Sequence, residues 1–131
     1  MTPDTATPAA GTLQYLKQPY GELAWLINAH AANQPERIAL DDCEERLTWG
    51  DTAALVNRIA AQLQAEGLQK GQAVSILGTT TIRYALVYLG AIVAGGCAAP
   101  LTTSATPQQL VDMMTDSGAG HLFIDHTKRA E

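Results

Sequence analysis

The sequence predicts an α/β fold: a layered sheet with a parallel βαβαβ unit, preceded by a small N-terminal hairpin. Three observations carry the prediction. Between Ala73 and Asp125 short apolar runs alternate with longer segments of helical spacing, the order that builds parallel strands joined by crossover helices. The runs 73–77, 97–101 and 121–125 are almost wholly apolar, as strands covered on both faces are. Each segment between them is long enough for a right-handed helical return.

The elements follow in chain order. Residues 1–11 are rich in Thr, Pro and Ala and hold no Lys or Arg. They carry no apolar run that could serve as a signal peptide, and a disordered tail is expected over 1–18. From Tyr20 to about Asn33 the spacing of Leu23, Ile27 and their apolar neighbours predicts a helix, which Pro35 prevents from continuing. Arg37 to Asp41 and Arg46 to Trp49 read as two short strands joined by the acidic turn Asp42 to Glu45. Thr48 or Asp51 then caps a helix whose apolar face holds Leu55, Ile59 and Leu63 beside Val56 and Ala60, and Gly67 ends it. The strand Ala73 to Leu77, a helix from about Ile82 to Ala94, the strand Cys97 to Leu101, a helix Pro107 to Asp116 and the strand His121 to Asp125 complete the order. Thr106-Pro107 and Ser117-Gly118 delimit the last helix by sequence alone, as N-cap with Pro at N1 and as stop. The polar remainder from His126 to Glu131 reads as the start of a further helix. A three-stranded sheet leaves edges unpaired and apolar helix faces half covered, so more chain is expected.

Composition narrows the function classes. A chain of 131 residues, 47% hydrophobic and 16% charged, is one globular domain and not a disordered segment. Eight Lys and Arg against 13 Asp and Glu give a net charge of −5 without any basic run, so nucleic acid is not expected as a partner. Cys43 and Cys97 are far apart and match no metal or CxxC spacing; both are read as thiols, and a cytoplasmic location is expected. Tyr84 to Leu101 is uncharged over 18 positions, the lower limit for a membrane span. Gly90, Gly95, Gly96 and Pro100 interrupt it and no basic cluster flanks it, so a core helix followed by a core strand is expected instead. That helix, with Tyr84, Leu86, Tyr88 and Ile92, is expected to be buried around most of its circumference.

Ligands of open parallel sheets sit beyond the carboxyl ends of the strands. Those ends hold Gly78, Thr79, Thr80 and Thr81, then Thr102, Thr103 and Ser104, then Asp125 and His126. Hydroxyls there could meet a phosphate or carboxylate, but Thr80, Thr81, Ser104 and Thr106 are read first as helix caps and turn residues. Lys70 follows a helix and precedes a strand, the wrong end of the sheet for a phosphate loop, and Gly90, Gly95 and Gly96 do not form GxGxxG. His30, His121 and His126 lack a third strong ligand for a metal, and Glu44 and Glu45 read as a solvated acidic turn. There is no GxSxG elbow and no catalytic Cys with a local base.

The residues also carry a resemblance. Pro35-Glu36-Arg37-Ile38-Ala39-Leu40, Leu47-Thr48-Trp49, Val56 to Ala60, Gly67 to Leu77, Tyr88 to Gly96 and Asp116 to Ala119 occur in one order and spacing. Together, over about Leu23 to Asp125, they resemble the N-terminal portion of the adenylate-forming superfamily, the acyl-CoA synthetase type especially. The resemblance implies that residues 19–131 are the N-terminal fragment of a large AMP-binding domain, with the rest of that domain and a small C-terminal domain beyond them. It implies an ATP-dependent carboxylic acid:CoA ligase that uses ATP, Mg²⁺ and coenzyme A. Such an enzyme adenylates a small carboxylic acid, releases pyrophosphate and passes the acyl group to a thiol. The family's phosphate loop ending Pro-Lys-Gly, its ribose-binding Asp and its late Lys all lie downstream of the part resembled. No catalytic, cofactor-binding or metal residue is therefore carried over, and this segment is expected to be scaffold. Gly78 to Thr81 stands where Pro-Asn is common in the family, and Thr102-Thr103 where Asn-Pro is common. The other expectation is a short binding or assembly module that keeps the layer without catalysis. Exposed apolar surface in either case favours a homo-oligomer.

Overall fold

The computed structural model describes Lys17 and residues 22–126. The loose tail expected over 1–18 lies outside the described residues apart from Lys17, and the helix expected to begin over 126–131 lies outside them beyond His126. The described chain runs α1 (Leu23–Asn33), β1 (Ile38–Asp41), β2 (Arg46–Thr48), α2 (Trp49–Ala65), β3 (Ala73–Leu77), α3 (Ile82–Val93), β4 (Cys97–Leu101), α4 (Pro107–Ser117) and β5 (His121–Ile124). β1 and β2 pair antiparallel, and a separate parallel sheet has the order β4-β3-β5. The α/β layer, the parallel unit and the hairpin all form as the sequence predicts.

Local chemistry sets the boundaries. Glu22 is extended and caps α1 without a side-chain bond, so that helix opens later than Tyr20. The Thr48 hydroxyl accepts the Asp51 N–H at 3.2 Å, which makes Thr48 the N-cap and draws Trp49 out of the strand and into α2. At the far end of α2, Gly67 takes φ +92°, while the N–H groups of Gly67 and Leu68 reach the carbonyls of Gln64 and Leu63 at 3.1 and 3.0 Å. This is a Schellman end, and the left-handed backbone it needs is the reason for glycine there. α4 starts with a full capping box between Thr106 and Gln109 and ends on the left-handed Gly118. It runs through Ser117, one residue past the expected stop at Asp116.

Two apolar clusters hold the elements together. One joins Ala60, Leu63 and Leu68 to Val74, Ala91 and Ala94, and so packs α2 and α3 onto the sheet. The other joins Ile27 of α1 to Ala53, Val56, Ile82 and Leu86. At the crossing of α2 and α3, a Cβ on Gly90 would lie 2.5 Å from Ile59 Cγ2; close packing explains this glycine. His30 stacks on Trp49 with centroids 4.6 Å apart, and its Nδ1 lies 2.9 Å from Gln34 Nε2. The ring stacking ties α1 to the start of α2.

Burial is uneven across the sheet. All five residues of β3 are buried, whereas β4 and β5 are mostly half-buried or exposed. The apolar run Tyr84 to Leu101 resolves into most of α3 and the whole of β4, and no helix among the described residues is long and apolar enough to cross a membrane. α3 is not closed all round, however. Ile82, Leu86, Gly90 and Ala91 are buried while Arg83 and Tyr88 are exposed. Its inner stripe meets α2 and the sheet, and the Arg83–Tyr88 side faces the cleft and solvent.

Candidate functional site

The carboxyl ends of β3 and β5, the first turn of α3 and the β1–β2 turn surround an open cleft of about 530 Å³. Its floor is apolar, with Ile76 and Phe123, and its rim carries Thr79, Arg83, Tyr84, Asp125 and the acidic turn. Five of the strand-end residues expected from sequence, Gly78, Thr79, Thr81, Asp125 and His126, line it. Asp125 Oδ2 accepts the Thr79 N–H at 2.8 Å and the Thr79 hydroxyl at 3.1 Å. Gly78 permits that approach, because a Cβ on it would lie 3.0 Å from Asp125 Cβ and Cγ. The bond closes the β3 loop onto the end of β5, which stops at Ile124 and leaves Asp125 to this link.

The other hydroxyls divide. Thr81 caps α3 through the Tyr84 N–H at 3.2 Å, and Thr106 caps α4. Thr80 and Ser104 do not cap. Thr80 is exposed, and Ser104 pairs its hydroxyl with that of Thr102 at 2.9 Å. The Thr102–Ser104 loop lies at the end of β4, beside a shallow groove of its own lined by Thr102, Gln109 and Met113, and it contributes nothing to the cleft.

Asp42 is the cleft residue that sequence reasoning left inside a solvated turn. Its Oδ2 accepts the Ile82 N–H at 2.9 Å, and its Oδ1 accepts the N–H groups of Glu44 and Glu45 at 3.1 and 2.9 Å. One carboxylate thus folds the hairpin turn and caps α3 from 40 residues away. The Ile82 N–H foremost, and then that of Glu45, hold its carboxyl below the ordinary value of 3.8. The local signal was the Asx-turn spacing of Asp42 to Glu44; no signal in the sequence announced the second half of the contact. Glu44 and Glu45 remain exposed, as expected.

The cleft's charge decides what it can hold. Asp42, Glu44, Glu45 and Asp125 line it against one guanidinium, that of Arg83, and His126. A triphosphate, or the phosphates of coenzyme A, needs clustered cations or a run of free backbone donors. Here two N-terminal donors of α3, the Ile82 and Tyr84 N–H groups, are taken by Asp42 and Thr81, and the Thr79 donor by Asp125. The residues present do not fit ATP or coenzyme A. No three His, Cys, Asp or Glu among the described residues are disposed to hold a metal ion.

Comparison with known proteins adds what the geometry does not. A family described as AMP-binding enzyme matches residues 27–131. Nonribosomal peptide synthetase 7 of Aspergillus fumigatus is 30% identical over 112 residues, 84% of this chain and 5% of its own length. Long-chain-fatty-acid--CoA ligase FadD13 of Mycobacterium tuberculosis is 27% identical over 99 residues, 74% of this chain and 20% of its own. Among solved structures, the inhibitor-bound N-terminal domain of FACL13 from Mycobacterium tuberculosis superimposes with a TM-score of 0.72 at 26% identity, covering 79% of this chain and 26% of that domain. The chain thus spans between 5% and 20% of the length of the first curated relatives it matches.

Proposed function

The chain belongs to the AMP-binding enzyme family and matches the N-terminal portion of its members, and from that premise we propose that it is the scaffold layer of an ATP-dependent carboxylic acid:CoA ligase. The observation that supports this most is the superposition on about a quarter of the FACL13 N-terminal domain. The cleft is acidic and the Thr79, Ile82 and Tyr84 N–H groups are occupied, which supports the reading that the groups binding ATP, Mg²⁺, coenzyme A and the acid lie outside these residues. The role of residues 22–126 in this reading is structural: they supply the buried strand β3, the crossover α3 and the α2 support on which further chain packs. The match to a nonribosomal peptide synthetase favours a second reading, in which the acyl group passes to a carrier-protein thiol instead.

Pyrophosphate exchange tests the proposal. The 131-residue chain is expected to show no acid-dependent exchange of pyrophosphate into ATP, and exchange by a preparation free of host ligases refutes the scaffold reading. A full-length polypeptide carrying this segment is expected to exchange with a carboxylic acid and to release AMP when coenzyme A is added. Release with a carrier protein but not with coenzyme A decides for the second reading.

A further inference from the structure

The chain leaves β3 for β4 through α3 and comes back from β4 to β5 through α4, crossing the sheet in opposite directions. Right-handed crossovers then lay the two helices on opposite faces of the sheet. A crevice is left beyond the carboxyl ends of β3 and β5, the place where open α/β sheets take their ligands. Strands added at the edges of the sheet and helices laid on its faces do not occupy that place. The cleft of about 530 Å³ lies there, within the range of about 300–1,000 Å³ usual for small-molecule pockets and too small for a folded partner.

The lining selects the sign of the ligand. Asp42 and Asp125 accept the Ile82 and Thr79 N–H groups, so these donors are closed to an anion. Glu44 and Glu45 lend the hairpin turn their backbone N–H groups. Among the described residues no hydrogen bond or ion pair engages either carboxylate, and both residues are exposed. Ile76 and Phe123 make the floor apolar, and Tyr84 adds a second aromatic side chain, a surface that suits both an apolar body and an ammonium. We propose that the cleft is a binding site for a small organic cation, an amine with an alkyl or aryl body, whose ammonium meets Glu44 and Glu45 while its body lies on Ile76 and Phe123. Arg83, on the first turn of α3, repels the ammonium and so keeps it at the hairpin side. The proposal does not rest on the ligase reading, and exchange assays leave it untouched.

Phenethylammonium, phenethyl alcohol and hydrocinnamate share a phenyl group and an ethyl spacer and differ in charge, so together they test the site. Amide shifts of the isotope-labelled 131-residue chain are followed by NMR at low salt as each probe is added. Phenethylammonium is expected to bind saturably with a dissociation constant of about 1 mM and to shift the amides of Glu44, Glu45, Tyr84 and Phe123. Phenethyl alcohol is expected to bind about fivefold more weakly, and hydrocinnamate more weakly still. Glu44→Gln together with Glu45→Gln lowers affinity for the cation to that of the alcohol, leaves the alcohol unchanged and keeps Tm, since both side chains are exposed. Arg83→Gln, also at an exposed residue, moves the cation the other way and tightens it about twofold. No saturable binding at up to about 20 mM probe, shifts that gather away from the cleft, or an affinity order in which the anion leads or the three probes tie overturns the proposal. So does a double variant that binds the cation like the parent.

Discussion

Gly90→Ala tests the packing of the layer more sharply than any truncation, because two effects of opposite sign meet at one atom. Alanine in a helix interior is favoured over glycine by about 1 kcal/mol, so on propensity alone the variant gains stability. The added Cβ, however, would lie 2.5 Å from Ile59 Cγ2 and 2.8 Å from Ile59 Cβ. Carbon atoms are content at roughly 3.5–4.0 Å, so α2 and α3 must part by about 1 Å or Ile59 must turn. A β-branched side chain on a helix has one strongly preferred rotamer, and its Cβ is fixed to the backbone, so turning relieves little. Overpacking of this kind costs about 1–3 kcal/mol, and the same crossing seats the fully buried Val56. With Ile59 unable to turn away, the cost lies in the upper part of that range, about 2–3 kcal/mol, and after the helical gain of about 1 kcal/mol we expect a net loss of about 1–2 kcal/mol, or roughly 4–8 °C in Tm for a domain of this size. Urea and thermal unfolding followed by far-UV circular dichroism measure it. Ile59→Ala in the same chain removes the nearest atom, and the double variant is expected to lose at least about 1 kcal/mol less than the sum of the two single losses. A Gly90→Ala chain as stable as its parent, or more stable, refutes the close crossing.

Three further expectations follow from the same structure. Leu63, 1% exposed in the main cluster, loses about 2–5 kcal/mol as alanine, whereas exposed Val111→Ala changes urea stability by less than about 0.5 kcal/mol; equal losses would mean the cluster is misplaced. Thr106→Ala removes half of the α4 capping box and costs about 1 kcal/mol in the same unfolding experiment. Asp42→Asn lowers Tm at neutral pH and flattens its dependence on acid. The folded carboxyl titrates below its unfolded value of 3.8, so its stabilisation is complete above that value and is lost as pH falls through the lower folded one. A parent and variant whose Tm values fall in parallel through that range contradict the assignment.

What the sequence disclosed depended on how far apart the partners are. α4 was readable end to end because Thr106, Pro107, Ser117 and Gly118 act within one turn of their own backbone. The strands were readable because a buried parallel strand needs no partner's identity to be apolar. Asp42 was not, since the N–H it accepts belongs to Ile82, 40 residues on. Nor could sequence separate Thr80 from Thr81, adjacent residues with the same hydroxyl, of which only Thr81 stands where the Tyr84 N–H reaches it. The exposed Arg83–Tyr88 side of α3 eluded an argument from apolarity alone, because Tyr84 and Tyr88 count as apolar while Tyr84 borders an open cleft and Tyr88 is exposed. The Asp125–Thr79 link was half legible: both residues stood at strand ends, but their bond depends on the register that sets Leu77 beside Ile124.

The central strand of the sheet is the earliest of the three in the chain, and this bears on the order in which a ribosome can deliver the fold. β3 and β4 align Val74 with Ala98 through one helical crossover, so that pair and the α2–α3 support can close while α4 and β5 are still unsynthesised. β5 must then pass the completed β4 and seat Val74 against His121, a contact of longer reach and hence of larger loop-closure cost. Until it does, one side of β3 offers its hydrogen bonds to any extended chain nearby. The interval between the emergence of Leu101 and that of Ile124 is therefore when nascent copies on one messenger are most open to mispairing.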